Sequence, residues 1–273
     1  MIKLVATDLD GTLLNSKGKL THRTIEVFNE LKKRQCRIVI ASGRTAEEIV
    51  DIVGPLGIMD YEHAYLIAYN GVSTLQTNPY HVMNEMMIHP NETRELARTL
   101  AEKKMKIHIF ARNKLFVSHD IEYILNISAT AKLEIIRINM LHYKEEVEAY
   151  KVLIFDDENK VNQFRSQIER DLFHRFNIFK SSKQLLEIVH LEGSKGDAVR
   201  RLCDSLGILP DEVMAFGDEE NDLSMIEFAG FGVAMANAKS MVKAKAEITT
   251  LSNDFDGVAE VIQHYILDKE MVF

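Results

Sequence analysis

Cysteine is nearly absent from this chain. Only Cys36 and Cys203 occur in 273 residues, far apart and without a CxxC spacing. That excludes a disulfide framework and a cysteine zinc site; it leaves two small packing residues and fits a reducing, cytoplasmic compartment. No apolar run approaches the roughly 20 residues that a membrane-spanning helix needs. The first residues also lack the charged, apolar and cleavage-site order of a signal peptide. Positive charge is not in excess, since the formal net charge is −8 at pH 7. A nucleic-acid binder that neutralises phosphates needs the opposite balance, so neither nucleic acid nor membrane is an expected partner. Internal repeats and low-complexity linkers are missing too. What is present is ordinary: 46% hydrophobic and 27% charged residues, in a chain long enough for one large or two ordinary globular domains.

Strand-like and helix-like segments alternate, the pattern of a parallel sheet flanked by helices. Residues 2–6 form a β-prone run. Thr21 can cap an amphipathic helix through Ile25, Phe28 and Leu31. Residues 37–41 read as a strand, 45–53 as a helix and 65–69 as a third strand. Asn70-Gly71 then favours a tight turn, with residues 72–75 returning as a hairpin arm. The pattern changes between about Val82 and His190. Strand candidates 106–110 and 115–117 lie close together, and 151–155 follows. A helical run over about 159–172 precedes a closing strand pair, 176–179 and 185–189. Neighbouring strands with interspersed helices imply a mainly antiparallel α+β unit inserted in the parallel domain. The expected organisation is a core formed by residues 1–81 and 191–273, with an insert over 82–190.

Chemistry concentrates where strands end. Asp8 and Asp10 close the first apolar run, and Gly11 breaks it. Side chains at i and i+2 share one face of a strand, so the two carboxylates converge as the chain leaves the sheet. A carboxylate pair there suits a divalent cation beside a nucleophile, although the same four residues also describe a polar turn. Ser42-Gly43 ends the second strand, where a hydroxyl and a closely approaching backbone N–H can hold a phosphate oxygen near a helix N-terminus, although Ser-Gly by itself reads more simply as a plain turn. Lys195 opens an amphipathic helix and can neutralise phosphate charge, although an isolated Lys-Gly reads more simply as solvated surface. Residues 212–222 make a strand that ends in a dense acidic loop. In that loop Asp218 can add a metal oxygen, and the amide of Asn221 can meet phosphate. Asp222 can bind metal through water, orient Lys195, or merely cap the next helix.

Taken together, Asp8-Leu-Asp10-Gly-Thr-Leu, Ser42-Gly43-Arg44, Lys195-Gly196 and Gly217-Asp218-Glu-Glu-Asn221-Asp222 resemble the four motifs of the haloacid dehalogenase superfamily of phosphohydrolases. Their order, and the large insertion between the second and third, resemble its Cof-type subfamily. Asn70-Gly71-Val72 is similar to that subfamily's Asn-Gly-Ala segment, with valine for the commoner alanine.

The resemblance implies an α/β fold, with a Rossmann-like parallel core, a C2-type α+β cap over the active site, and Mg²⁺ dependence. It implies that Asp8 is the nucleophile that forms an aspartyl phosphate, and that Asp10 is the acid and then the base. It assigns metal binding to Asp8, Asp218 and the main-chain carbonyl of Asp10. Phosphate would be held by the backbone N–H groups of Leu9 and Gly43, the Ser42 hydroxyl, Lys195 and the Asn221 amide. Expected substrates are small phosphorylated metabolites, such as sugar phosphates or phosphorylated cofactors. A phosphomutase or phosphotransferase would use the same aspartyl phosphate with a sugar hydroxyl as acceptor. A ligand-binding protein on this fold has no need of a nucleophile and an acid together. A dehalogenase leaves Asp218 and the Asp10 carboxylate without a clear task, and a P-type pump requires membrane spans. In the insert, Arg112, Arg137, His108 and His119 can approach a phosphorylated sugar, but read more simply as solvent-facing side chains on strands.

Overall fold

The first strand, Leu4–Thr7 (β1), is buried along its whole length, as a short apolar run between two helix-covered faces should be. It lies at the centre of the larger of two sheets in the computed structural model, which describes residues 1–119, 133–168 and 170–268. The chain divides into two compact units, Met1–Asn84 with Ser194–Phe273, and Glu85–Gly193.

In the first unit, β1 is followed by Arg37–Ala41 (β2), Ala64–Ala68 (β3), Ser73–Thr77 (β4) and Tyr80–Glu85 (β5), whose last residue opens the second unit. The second unit holds Ile107–Ala111 (β6), Lys114–Val117 (β7), Glu134–Arg137 (β8), Ala149–Phe155 (β9), Phe176–Ser182 (β10) and Leu185–His190 (β11). The chain then returns to the first unit with Val213–Gly217 (β12), Phe231–Ala234 (β13) and Ile248–Thr249 (β14).

Among the described residues the larger sheet has the order β14-β13-β12-β1-β2-β3-β4-β5. Every pairing from β14 across to β3 is parallel, and β4 turns back antiparallel on β3. The strand order reverses at β1: the chain runs outward through β2 and β3 on one side, and through β13 and β14 on the other. Open α/β sheets bind ligands at such a switch point, beyond the carboxyl ends of the strands. Register makes the point concrete, because Thr7 pairs with both Ile40 and Phe216. The loops after β1, β2 and β12 therefore leave the sheet side by side.

Local chemistry sets the helices. Thr21 accepts the Thr24 N–H at 3.1 Å and opens helix His22–Lys33, which buries Val27, Phe28 and Leu31. Thr45 and Glu48 form a reciprocal capping box on helix Ala46–Val53. Ser194 caps helix Lys195–Leu206, which ends at Gly207 in the left-handed conformation. Alternate residues of the central strands, such as Leu4, Ala6, Val39, Ala41 and Ala215, join Ala198, Val199 and Leu202 in one apolar cluster. Cys203 lies in that cluster and Cys36 is buried elsewhere in the unit.

The second unit has its own core and its own sheet, ordered β10-β11-β9-β6-β7-β8 among the described residues. All its pairings are antiparallel except β7 with β8. Ile107, Ile109, Val152, Ile154 and Ile188 alternate along the central strands and share a cluster with Leu96 and Leu100 of helix Pro90–Glu102. The single helical run expected over 159–172 is two helices, Glu158–Gln167 and Arg170–Arg175, with Ile168 extended between them. Both Ile168 and Leu172 pack against the core, and no glycine or proline marks the break. Among the described residues no helix is long and apolar enough to cross a membrane.

Candidate active site

Lys195 holds the centre of the first unit's loop cluster. It is wholly buried, and its Nζ donates to Asp8 Oδ1 at 2.5 Å and to Asp222 Oδ1 at 2.6 Å. Asp8 is at the end of β1, Asp222 lies in the loop after β12, and Lys195 is the first residue of its helix. Three segments far apart in sequence are thus joined by one cation. Asp218 completes the group: oxygens of Asp8, Asp218 and Asp222 lie within 4.8 Å of one another, and all three residues are buried.

Three carboxylates around one ammonium leave negative charge unbalanced. Burial pushes Asp8 well above the usual carboxylate range, and Asp222 and Asp218 add to the shift while Lys195 opposes it. Burial and then Asp222 raise Asp218 to about 7, despite the hydrogen bond it accepts from Thr12 Oγ1 at 2.7 Å. Burial disfavours the Lys195 charge, but Asp222 and Asp8 outweigh it and hold the ammonium above the ordinary lysine range. Closely packed carboxylates that resist joint ionisation match what a hard divalent cation requires, since oxygen ligands and net negative charge are its preferred environment. The residues present therefore fit Mg²⁺.

The surrounding backbone is shaped for close approach. Gly11 has φ +81°, and a Cβ there would sit 2.5 Å from Asp218 Oδ2. Gly71 has φ +107°, and a Cβ there would meet the Ser194 carbonyl at 2.1 Å. That second contact brings the turn after β3 against the start of the Lys195 helix.

Each residue singled out in the sequence has a definite place. Leu9 is buried behind Asp8, and its carbonyl accepts the N–H groups of Thr12 and Leu14. Ser42 is buried at the end of β2, next to Gly43. The amide of Asn221 donates to Asn70 Oδ1 at 2.8 Å. Asp10 departs from the buried group. Its half-exposed carboxylate is turned to Arg44, which donates from Nε and Nη2 at 2.8 Å each. Asp222 does not cap the helix that follows it. Its Oδ2 instead accepts the backbone N–H groups of Asp218 and Glu219, at 2.9 and 3.0 Å. This bends the acidic loop back on itself and leaves Oδ1 for Lys195.

The sequence motifs alone give Asn70 and Arg44 no individual task. Asn70 is buried in a left-handed conformation at φ +60°, and its N–H donates to the Ser42 carbonyl at 2.9 Å. It therefore ties the loop after β2 to Asn221 of the loop after β12. The Asn-Gly pair signals the turn, but the partner of its side chain lies 151 positions away.

In the second unit the expectation of solvent-facing side chains fails for His108. It is fully buried on β6, stacked on His119 with ring centroids 5.2 Å apart, and burial pushes its imidazole down to about 3. Its neighbours Ile107 and Ile109 face the helices, so His108 occupies the other face of the sheet, and that face is buried too. Arg112 is exposed and pairs with Glu85. Arg137 and His119 line an open cavity of about 560 Å³, with Lys104 and Lys106.

Known proteins match this chain over almost its whole length. A model of the haloacid dehalogenase-like hydrolases matches residues 5–262. The Bacillus subtilis protein YxeH is 33% identical over 271 residues, covering 98% of this chain and 100% of its own. The HMP-PP phosphatase of Citrobacter koseri is 29% identical over 254 residues, covering 92% of this chain and 90% of its own. A crystal structure of a haloacid dehalogenase-like hydrolase from Bacteroides thetaiotaomicron superposes with a TM-score of 0.81 at 31% identity, covering 97% of this chain and 99% of that one. By family match and by full-length identity near one third, the chain belongs to the haloacid dehalogenase-like hydrolases, of the Cof type.

Proposed function

We propose that this phosphoric monoester hydrolase works through an aspartyl phosphate on Asp8 and takes small phosphorylated metabolites as substrates. The observation that carries the reading is Lys195, buried between Asp8 and Asp222 with Asp218 alongside. A buried lysine fixed on the carboxylate that is to attack phosphorus has no comparable use in a protein that only binds.

Asp8 attacks phosphorus, an Asp8 O–P bond forms, and the bond from phosphorus to the leaving oxygen breaks. A carboxylate and a phosphate dianion repel each other, and Lys195 offsets that repulsion from within a site where little water screens it. Asp8, Asp218 and the main-chain carbonyl of Asp10 would hold Mg²⁺, which supplies further positive charge for the phosphoryl oxygens. Asp222 has its oxygens committed to Lys195 and to two backbone N–H groups, so we assign it to orienting Lys195. Ser42, the backbone of Leu9 and Gly43, and Asn221 would hold the phosphoryl oxygens. An NH₂ group has two hydrogens, and the bond to Asn70 uses one. Asp10 gives its proton to the departing alkoxide and then takes one from the water that cleaves the acyl phosphate. Its protonation state reverses between the two steps, so one residue serves both.

The name of the Citrobacter koseri relative, an HMP-PP phosphatase, supports a small phosphorylated metabolite as substrate. The test is a panel of phosphate monoesters, followed by acid quench and borohydride reduction during turnover. Conversion of Asp8 to homoserine in the recovered peptide is the expected result. Turnover with Asp8 unlabelled and another residue labelled would overturn the nucleophile assignment. Measuring free phosphate against phosphate transferred to a sugar decides between hydrolase and phosphotransferase.

A further inference from the structure

We propose that Arg44 is a positioning residue that fixes the carboxyl group of Asp10 for proton transfer. This rests on the reading of Asp10 as the acid and base of the reaction. The Asp10 side chain is 53% exposed and lies in the loop after β1, where its own backbone does not dictate one rotamer. Among the described residues Arg44 alone hydrogen-bonds its carboxylate, through two parallel bonds of 2.8 Å from Nε and Nη2. A bidentate fork fixes the plane of a carboxylate as well as its distance, which a single donor cannot do.

The guanidinium is itself held from behind. Arg44 Nη1 is 3.7 Å from Glu48 Oε1, and Glu48 Oε2 accepts the Thr45 N–H at 3.0 Å. The Glu48 side chain is only 11% exposed, so the second anion is anchored by the capping box of helix Ala46–Val53. The Arg44 backbone is pinned as well, since its carbonyl accepts the Tyr69 N–H at 3.0 Å. The motif Ser42-Gly43-Arg44 therefore has two separate tasks. On the proposed reading its first two residues hold the phosphoryl group, and its third aims the neighbouring acid. Lysine is a poor replacement, because a point charge cannot reproduce the fork.

Substituted phenyl phosphates test this, ordered from p-nitrophenyl to unsubstituted phenyl by how much the leaving oxygen needs a proton. Asp10→Asn gives the reference for loss of the acid. Arg44→Ala is expected to lower kcat for phenyl phosphate by about 10- to 100-fold, within the range of general acid catalysis, yet p-nitrophenyl phosphate by less than about 3-fold. Inhibition by inorganic phosphate should not change. Arg44→Lys should follow the alanine variant, and it carries the comparison alone if the alanine variant does not fold. An Arg44 variant with the wild-type leaving-group dependence, beside an Asp10→Asn that steepens it, overturns this proposal and leaves the acid assignment standing. Equal losses on every substrate, with weaker inhibition by inorganic phosphate, overturn it too by making Arg44 a phosphate ligand. If Asp10→Asn itself leaves the dependence unchanged, the reading of Asp10 fails first.

Discussion

At the scale of single residues, the site depends on buried charge that is only partly compensated. Removing one partner from such a group leaves the others without an answering charge, and breaking a buried pair typically costs about 3–5 kcal/mol. Lys195→Met should therefore lower stability by about that amount in metal-free protein, as measured by urea titration, as well as abolish turnover. The loss should be larger at pH 8 than at pH 5, because the neighbouring carboxyls can take up protons at the lower pH. An equal loss at both values would mean that the three carboxylates are not coupled through Lys195. Asp8→Asn makes a contrasting prediction. It removes the proposed nucleophile yet relieves repulsion among the carboxylates, so turnover should vanish while metal-free stability holds or rises. A drop in metal-free stability would contradict the charge argument.

Among the elements, the loops matter more than the strands, and the two differ in how well the sequence reveals them. β2 has the bounds expected from its β-branched run, Thr21 caps the helix it is expected to cap, and the helix expected over 45–53 runs from Ala46 to Val53 with Thr45 as its cap. Local patterns report local structure, so such features are readable. Asp8, Ser42 and Asp218 can be picked out because each stands at the end of an apolar run, and Lys195 because it opens an amphipathic helix. The Arg44 fork, the Asn70–Asn221 bond and the turn of Asp222 back onto its own loop cannot. They depend on strand register and on backbone conformation, neither of which leaves a local mark. The burial of His108 was misjudged for a related reason, since alternation along a strand says nothing about what covers the second face. The first loop offers a test at this scale. Gly11→Ala places a Cβ against Asp218 at a φ that disfavours side chains. It should raise the Mg²⁺ concentration needed for half-maximal activity much more than it raises KM for substrate. A rise in KM alone would show that the loop after β1 serves phosphate rather than the metal side of the site.

For the whole molecule, the raised carboxyl groups make stability depend on pH and on metal together. Asp218 titrates near 7 in the fold against 3.8 ordinarily, so between about pH 4 and 7 the folded chain binds a proton that the unfolded chain does not. Stability of metal-free protein should then fall as pH rises through that window and level off above it. Mg²⁺ bound by these carboxylates would compete with the same protons, so the rise in Tm on adding it should be small at pH 5 and large at pH 8. Chelator should abolish turnover, and added Mg²⁺ should restore it. A Tm shift independent of pH would separate metal binding from these carboxylates.

The two-unit organisation carries the last prediction. Glu85–Gly193 has its own sheet and its own apolar core, while Asp8, Asp10, Lys195 and Asp218 all belong to the other unit. The phosphoryl chemistry is thus encoded apart from the insert, which is joined to the rest of the chain at only two crossings. On the proposed reading, selection of the organic group would fall to the insert. Replacing it with the corresponding segment of a relative should reorder the preferred monoesters. Because selectivity is differential transition-state binding, the change should appear in kcat/KM. Activity on p-nitrophenyl phosphate, whose leaving group asks little of its surroundings, should survive within about an order of magnitude. A folded chimera with the original substrate ranking would place specificity in the first unit, among the loops that hold Lys195.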